Sequence, residues 1–452
     1  MGNIYGIKAN TSSQNSKQQL SKGKTKAKTE KKKKKEKEKE KESGNERERE
    51  KERKKRKNKK KRQKRKERHA KNIPEYRKRK FSTQEKPKLE DNKEESQEMK
   101  RKRNNTNSGN DEQGKKAPKR KVAVMFGYRG TGYHGLQIQY GELVHLKTIE
   151  LDLVNAFAKI GAISEQNKND IKKVGWSRAG RTDKGVHAAR QYVVFKMLMI
   201  DTEEKIVELV NKELPEYIRV WGIQKVPKKF CAQRRCNYRE YQFLLPTFLL
   251  TEKNYPTEES KVLKEEKRIL FENFTEEALN FYNEQILSQF IGTNNYHNYT
   301  KGIRYNQEKA KRYIIKMVAN KPITLNGQKW ILIEITGQAF LIHQIRKMIT
   351  MSVAVMRGCI TLEQFQDSFT ESKYSLSIIP GIGLLLDRVV YESYNTSESA
   401  QEKGTIHFNH MNQKIDTFKM KHIFSHVAQI EQNEHSFYNW LKLFYKYPIQ
   451  KI

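Results

Sequence analysis

Hydrophobic periodicity divides the chain near residue 118. Residues 1–118 follow neither a period of two nor one of 3.6. They consist of runs such as Lys31-Lys-Lys-Lys-Lys35 and Lys54-Lys-Arg-Lys-Asn-Lys-Lys-Lys-Arg62, with alternating Glu/Lys and Glu/Arg between them. So little apolar surface cannot offset an ordering entropy of roughly 1–2 kcal/mol per residue, and a disordered basic tail is expected. Downstream the pattern sharpens. Val122–Phe126 is an apolar strand, and Leu151, Val154, Phe157 and Ala158 recur at helical spacing across Thr148–Gly161, where Gly161 is a natural stop. A strand His187–Met199, a helix Glu203–Glu213 ended before Pro215, and strands Ile218–Val226 and Asn237–Leu244 follow. In the last of these, Tyr241 and Phe243 share one face and Gln242 takes the other.

The second half repeats the recipe. It predicts a helix Glu276–Phe290, a loop Gly292–Thr300, strands Arg312–Ala319 and Trp330–Thr336, and a long apolar helix Phe340–Met356 stopped by Gly358. A short helix Thr361–Phe369 and a strand Leu384–Tyr391 complete the body, and a helical segment Thr417–Phe444 carries an apolar Phe437–Leu441 face suited to core packing. Strands and helices mix without strict βαβ alternation, which argues an α+β fold. The expected organisation is a tail 1–118, a folded domain 119–395 in halves 119–250 and 271–395 around a polar insertion 251–270, and a C-terminal helical extension 396–452.

Charge extends this picture. Residues 1–120 carry 46 of the 92 Lys+Arg and 19 of the 53 Asp+Glu, a net of +27, which leaves 12 of the total +39 for the remaining 332 residues. The body is therefore basic without its tail, as expected of a protein that meets polyanions. Clusters such as Lys54–Lys66 read as a nuclear import signal or a nucleic-acid arm; the nucleus is the expected compartment, with a mitochondrial pool as the alternative. Three cysteines, Cys231, Cys236 and Cys359, form neither a disulfide framework nor a zinc pattern, so no metal is expected. No apolar run approaches the ~18–20 residues of a membrane span, and no membrane association is expected.

Gly130-x-Gly132-x-x-Gly135 follows a strand, as in a dinucleotide fingerprint, but the next helix opens only near Thr148. A pyrophosphate would find no helix N-terminus at the third glycine, so no nucleotide cofactor is expected. The informative stretch is Arg178-Ala-Gly-Arg181-Thr-Asp183-Lys-Gly185-Val-His187. Thr-Asp-Lys-Gly would turn for local reasons alone. Two arginines crowd the aspartate, however, and an apolar strand follows it. Arg346 lies far along the chain on the apolar helix 340–356, where an unpaired guanidinium would be costly. A carboxylate partner would satisfy it, and would keep that carboxylate an anionic nucleophile. Tyr241 is either core packing or a face for stacking an extruded base. His134, His187, His297 and His343 have no metal spacing and read as hydrogen-bonded or supporting histidines.

These residues resemble a family signature. Arg178-x-x-Arg181-Thr-Asp183-Lys-Gly185-Val-His187-Ala is similar to that of the TruA-type tRNA pseudouridine synthases. Five further stretches stand in the family's order around it: Gly127-Tyr-x-Gly-Thr-Gly-Tyr-His-Gly-Leu-Gln137 upstream, then Cys236-x-x-Arg239-x-Tyr241-x-Phe243, Gly292-Thr-x-Asn-Tyr-His-Asn-Tyr-Thr300, Gly337-x-Ala-Phe-Leu-x-x-Gln344-Ile-Arg346-Lys-Met348 and Pro380-Gly-Ile-Gly-Leu-Leu-Leu-Asp-Arg388. The spellings and the Lys-rich tail are most similar to the eukaryotic tRNA pseudouridine synthase 1 branch, over about residues 120–445.

The resemblance implies two pseudo-related α+β halves with joined, mostly antiparallel central sheets, flanking helices and a basic cleft. It also implies a cofactor-free, metal-free isomerase of uridines in tRNA, with small nuclear and messenger RNAs as further candidate substrates, acting as a monomer. On that reading Asp183 is the catalytic carboxylate, Arg346 pairs with it, and Tyr241 stacks on the base. Arg178, Arg181, His187, Arg239 and Asn298 are the implied RNA contacts. Thr350 departs from the family, which often has glycine there. Two other readings stay open: a non-catalytic RNA-binding or tRNA-folding protein of the same fold, and a chromatin or ribosome factor that works through its tail.

Overall fold

The structure, a computed structural model, describes residues 117–452 apart from 141–142, 144 and 252–270. The expected tail and the expected insertion thus lie outside the described residues, except for Ala117, Pro118 and Thr251. Twelve strands are present among the described residues: β1 (Lys119–Tyr128), β2 (Ser177–Arg178), β3 (His187–Leu198), β4 (Ile218–Lys225), β5 (Tyr238–Pro246), β6 (Gly292–Asn295), β7 (Lys311–Ala319), β8 (Ile323–Leu325), β9 (Gln328–Gly337), β10 (Tyr374–Ser375), β11 (Leu384–Val390) and β12 (Gln450–Lys451). Ten of them form one sheet in the order β4-β1-β3-β11-β5-β9-β7-β6, with β2 beside β3 and β8 beside β9. All its pairings are antiparallel except β3 with β11. The fold is α+β with one large, mostly antiparallel sheet and flanking helices.

The chain crosses over at the centre of this sheet. β11, from late in the sequence, lies between β3 and β5. Its register places Leu386 opposite both Ala188 of β3 and Tyr241 of β5, and Tyr241 in turn opposite Ile335 of β9. Residues some 150 positions apart in sequence therefore stand a few strand spacings of about 4.8 Å apart. The helix Ile149–Lys159 packs onto β3 through Phe157 and Phe195, ring centroids 5.2 Å apart. The helix Ser436–Lys446 covers β5 and β9, with Phe437 6.3 Å from Phe243 and 6.0 Å from Trp330. The C-terminal helices share the core of the sheet, as their apolar face predicts.

Three expectations need correction. Gly292–Asn295 is an edge strand rather than loop, paired with β7 from Gly292 opposite Ile314 to Asn295 opposite Lys311. Its polar sequence hides it, because an edge needs pairing partners more than apolar side chains. The helix expected from Phe340 starts at Gln344. Phe340 instead turns back to pack on Tyr241 and on Gly337, where a Cβ would meet the Phe340 ring at 2.7 Å. The helix expected over Glu276–Phe290 is α-helical only over Glu276–Phe281, then widens to a π turn and tightens to 3₁₀.

Candidate active site

The loop 179–186 leads into β3 at the middle of the sheet, and most of its backbone is held from outside. Ala179 N–H donates to Tyr192 O at 3.0 Å, Gly180 O accepts from Gln191 Nε2, and Thr182 Oγ1 bonds Tyr128 Oη at 2.7 Å. Val186 N–H closes the turn onto Asp183 O, and Gly185 takes the positive φ of +77° that a side chain would resist. The glycine loop explained away as a cofactor site has a positive role here. A Cβ on Gly130 would fall 2.1 Å from Val186 O, and one on Gly135 2.8 Å from Thr182 O. These glycines let one loop lie directly on the backbone of the other.

Asp183 thus sits on a fixed backbone with its side chain 37% exposed. The helix Gln344–Met356 reaches it from the far half of the chain, but not through the residue expected. His343 Nδ1 lies 3.1 Å from Asp183 Oδ2, whereas Arg346 makes no ion-pair contact with Asp183 among the described residues. Arg346 Nε donates instead to Ile379 O at 2.7 Å, and its Cζ lies 3.5 Å from the Cβ position of Gly381. Burial lowers the Arg346 pKa, and the Asp183 charge, acting from beyond contact distance, opposes this. The backbone carbonyl meets the need that the sequence argument assigned to a carboxylate.

Tyr241 is 9% exposed, its ring edge-on to Phe340 with centroids 5.1 Å apart. Burial pushes its pKa up to about 12, with the Asp183 carboxylate a lesser contributor in the same direction, so it is a neutral phenol at physiological pH. Thr350, the departure from the family pattern, is buried and donates its hydroxyl to Arg346 O at 3.2 Å, one turn back along the helix.

Most of the suspected RNA contacts have other work. Arg178 holds the fully buried Glu150 with two bonds, Nε to Oε1 at 2.5 Å and Nη2 to Oε2 at 3.0 Å, and Trp176 Nε1 donates to the same carboxylate. His187 is fully buried: Nδ1 accepts from Gly130 N–H at 3.0 Å, so Nε2 carries the proton donated to Ile382 O at 2.9 Å. Asn298 is 4% exposed and uses its whole amide on Ser368 O, Ser372 O and Tyr374 N–H. A buried, fully satisfied side chain has nothing left for a phosphate, which corrects the reading of His187 and Asn298. Arg239 donates Nη2 to Ala179 O at 2.7 Å and Nη1 to Gln338 O at 3.0 Å, stapling the aspartate loop to the turn ahead of His343. Arg181 is exposed and free to meet a ligand. His343 was expected only as one of four hydrogen-bonded or supporting histidines, with no partner assigned. Its spacing of three before Arg346, at a helix start, was the available signal.

Among the described residues no group of three His, Cys, Asp or Glu side chains could hold a metal ion, and no helix is long and apolar enough to cross a membrane. A family model described as tRNA pseudouridine synthase matches residues 286–392, the span that carries Arg346 and β11. The tRNA pseudouridine synthase 1 of Kluyveromyces lactis is 36% identical over 388 residues, covering 71% of this chain and 69% of that protein. That of Candida albicans is 33% identical over 405 residues, covering 72% and 66%. The human Pseudouridylate synthase 1 homolog is 34% identical over 330 residues, covering 71% and 72%. With a central aspartate loop, a long helix converging on it and relatives 34% and 36% identical that cover 71% of the chain, the chain belongs to the TruA-type tRNA pseudouridine synthase family.

Proposed function

We propose that this protein isomerises uridines in tRNA to pseudouridine with Asp183 as its catalytic carboxylate. The observation that carries the reading is His343 lying 3.1 Å from Asp183 beside the sheet centre, with Tyr241 near enough to feel the Asp183 charge, from three distant stretches of one chain. In the reaction the N1–C1′ bond of the uridine breaks, the uracil turns, and a C5–C1′ bond forms. N1 gains a proton and C5 loses one, so atoms and charge balance. The partly exposed Asp183 carboxylate can act at the sugar, as covalent nucleophile or as base. Arg346, close but engaged by Ile379 O, supplies positive potential beside it. Tyr241 offers an aromatic wall for an extruded base and, being neutral, a hydroxyl for relay of the C5 proton.

Arg181 supports phosphate binding by its exposure, and the basic tail supports a nuclear location and added RNA affinity. Small nuclear and messenger RNAs are candidate substrates alongside tRNA, and the protein works as a monomer. The test is incubation with unmodified tRNA transcripts followed by carbodiimide derivatisation and primer extension, for wild type and Asp183→Asn. Pseudouridine is expected from the wild type alone. Equal product from the substituted protein would remove Asp183 from its role, and no product from either would favour a non-catalytic RNA-binding protein.

A further inference from the structure

We propose that His343 is the positioning residue that holds the Asp183 carboxylate in its reactive orientation. The inference rests on the reading of Asp183 as the catalytic carboxylate. Three observations point to it, and the first is backbone conformation. His343 has φ +62° and ψ 2°, in the left-handed region that glycine and asparagine occupy at least cost. It stands at the N-terminal boundary of the helix Gln344–Met356, yet its side chain caps no backbone N–H there. Turn geometry alone would select glycine, so the imidazole is kept for something else.

The second observation is where the imidazole lies. Nδ1 is 3.1 Å from Asp183 Oδ2, and it is buried with no aligned hydrogen bond to any described group. A modest rotation of the carboxylate turns this approach into a bond. Both the neutral Nδ1–H tautomer and the imidazolium donate from that atom, so the arrangement does not depend on ring charge. No other described side chain approaches the Asp183 carboxylate within ion-pair distance, and Arg346 is held by Ile379 O. A carboxylate 37% exposed would sample several rotamers without a partner to select one.

The third observation is rigidity beneath the ring. Gln344 is fully buried, its Oε1 accepting from Leu341 N–H at 2.8 Å, and Lys347 N–H donates to His343 O at 3.0 Å. Lys347 Nζ donates to Asn298 O and Thr300 O, and Arg239 ties Gln338 O to Ala179 O across the two loops. The strained residue is therefore fixed from both sides, opposite a loop fixed just as firmly. Such a pair restrains one side chain against a rigid frame.

Two substitutions separate this role from a structural one. His343→Gly relieves the backbone and removes the donor. His343→Asn also tolerates the left-handed conformation, and its Nδ2 occupies the position of the imidazole Nδ1. With unmodified tRNA transcripts as substrate, His343→Gly should melt at or above the wild-type temperature. Its kcat should nevertheless fall by about 10²-fold, the cost of a reactive group misplaced by about 1 Å, with KM within about threefold of wild type. His343→Asn should recover at least about tenfold of that loss. The proposal is overturned if His343→Gly keeps kcat within about threefold of wild type, if its loss lies in KM alone, or if His343→Asn is as slow as His343→Gly. Failure of the wild type to form pseudouridine would instead sink the assigned reaction. A crystal structure of His343→Gly then still decides the point: several Asp183 rotamers support the positioning role, and one rotamer in the wild-type place refutes it.

Discussion

Replacing Gly130 by alanine should slow turnover by about 10²-fold in a protein that still folds. The added Cβ would lie 2.1 Å from Val186 O and 2.6 Å from Val186 C, and real Cβ contacts do not fall under 3.0 Å. One of the two loops must therefore move by at least 3.0 − 2.1 = 0.9 Å. The Gly130 side is pinned, since its N–H donates to His187 Nδ1 and Tyr133 N–H donates to its carbonyl. Much of the shift then falls on Val186 and, through the bond from Val186 N–H to Asp183 O, on the aspartate itself. A misplacement of about 1 Å costs about 10²-fold, or about 2.7 kcal/mol of transition-state stabilisation. Overpacking should add a stability loss of about 1–3 kcal/mol. Gly132→Ala is the control: its φ is +85° but nothing lies within 4 Å of its Cβ position, so it should cost about 1 kcal/mol of stability and spare kcat. The assay pairs thermal melting with tritium release from tRNA transcripts labelled at uridine C5. Equal kcat values for the two variants would refute the claim that the glycine loop sets the position of Asp183.

The two arginines of the signature should part company. Arg178→Ala strands the buried Glu150 carboxylate and should cost roughly 3–5 kcal/mol in denaturant melts, whereas Arg181→Ala should leave stability unchanged and raise KM for tRNA. A second prediction concerns acid stability. Burial holds His187 at about 3, against an ordinary 6.5 in the unfolded chain, so the folded state excludes a proton that the unfolded state binds. Stability from this site is full above pH 6.5 and falls as pH drops from there towards 3, by up to about 1.4 kcal/mol per unit. His187→Gln should be less stable at pH 7.5 yet show a flatter decline in melting temperature down to pH 4.5. Parallel curves for the two proteins would refute it.

Much of the sheet was readable in advance. β1, β3, β4, β5, β7, β9 and β11 carry β-branched and aromatic runs whose burial makes them strands wherever they pair. β6 and β8 were not readable, β6 being short and polar and β8 only three residues long, with their order supplied by neighbours. The proposed catalytic residue followed the same division. Asp183 stood out because its turn, its arginines and the strand after it are all local. What those arginines do was not local, since Glu150, which claims Arg178, is 28 positions away on another element.

Sequence alone determined the fold class and the basic character and singled out the candidate aspartate, because periodicity, composition and turn chemistry act over a few residues. Only the tertiary structure decided the company that aspartate keeps. The parallel entry of β11 between β3 and β5, a pairing across some 200 residues, brings the start of β3 and Tyr241 into one row. A turn that delays a helix to Gln344 puts His343 rather than Arg346 against the carboxylate. Such contacts depend on where rigid elements end in space, and spacing along the chain does not encode that.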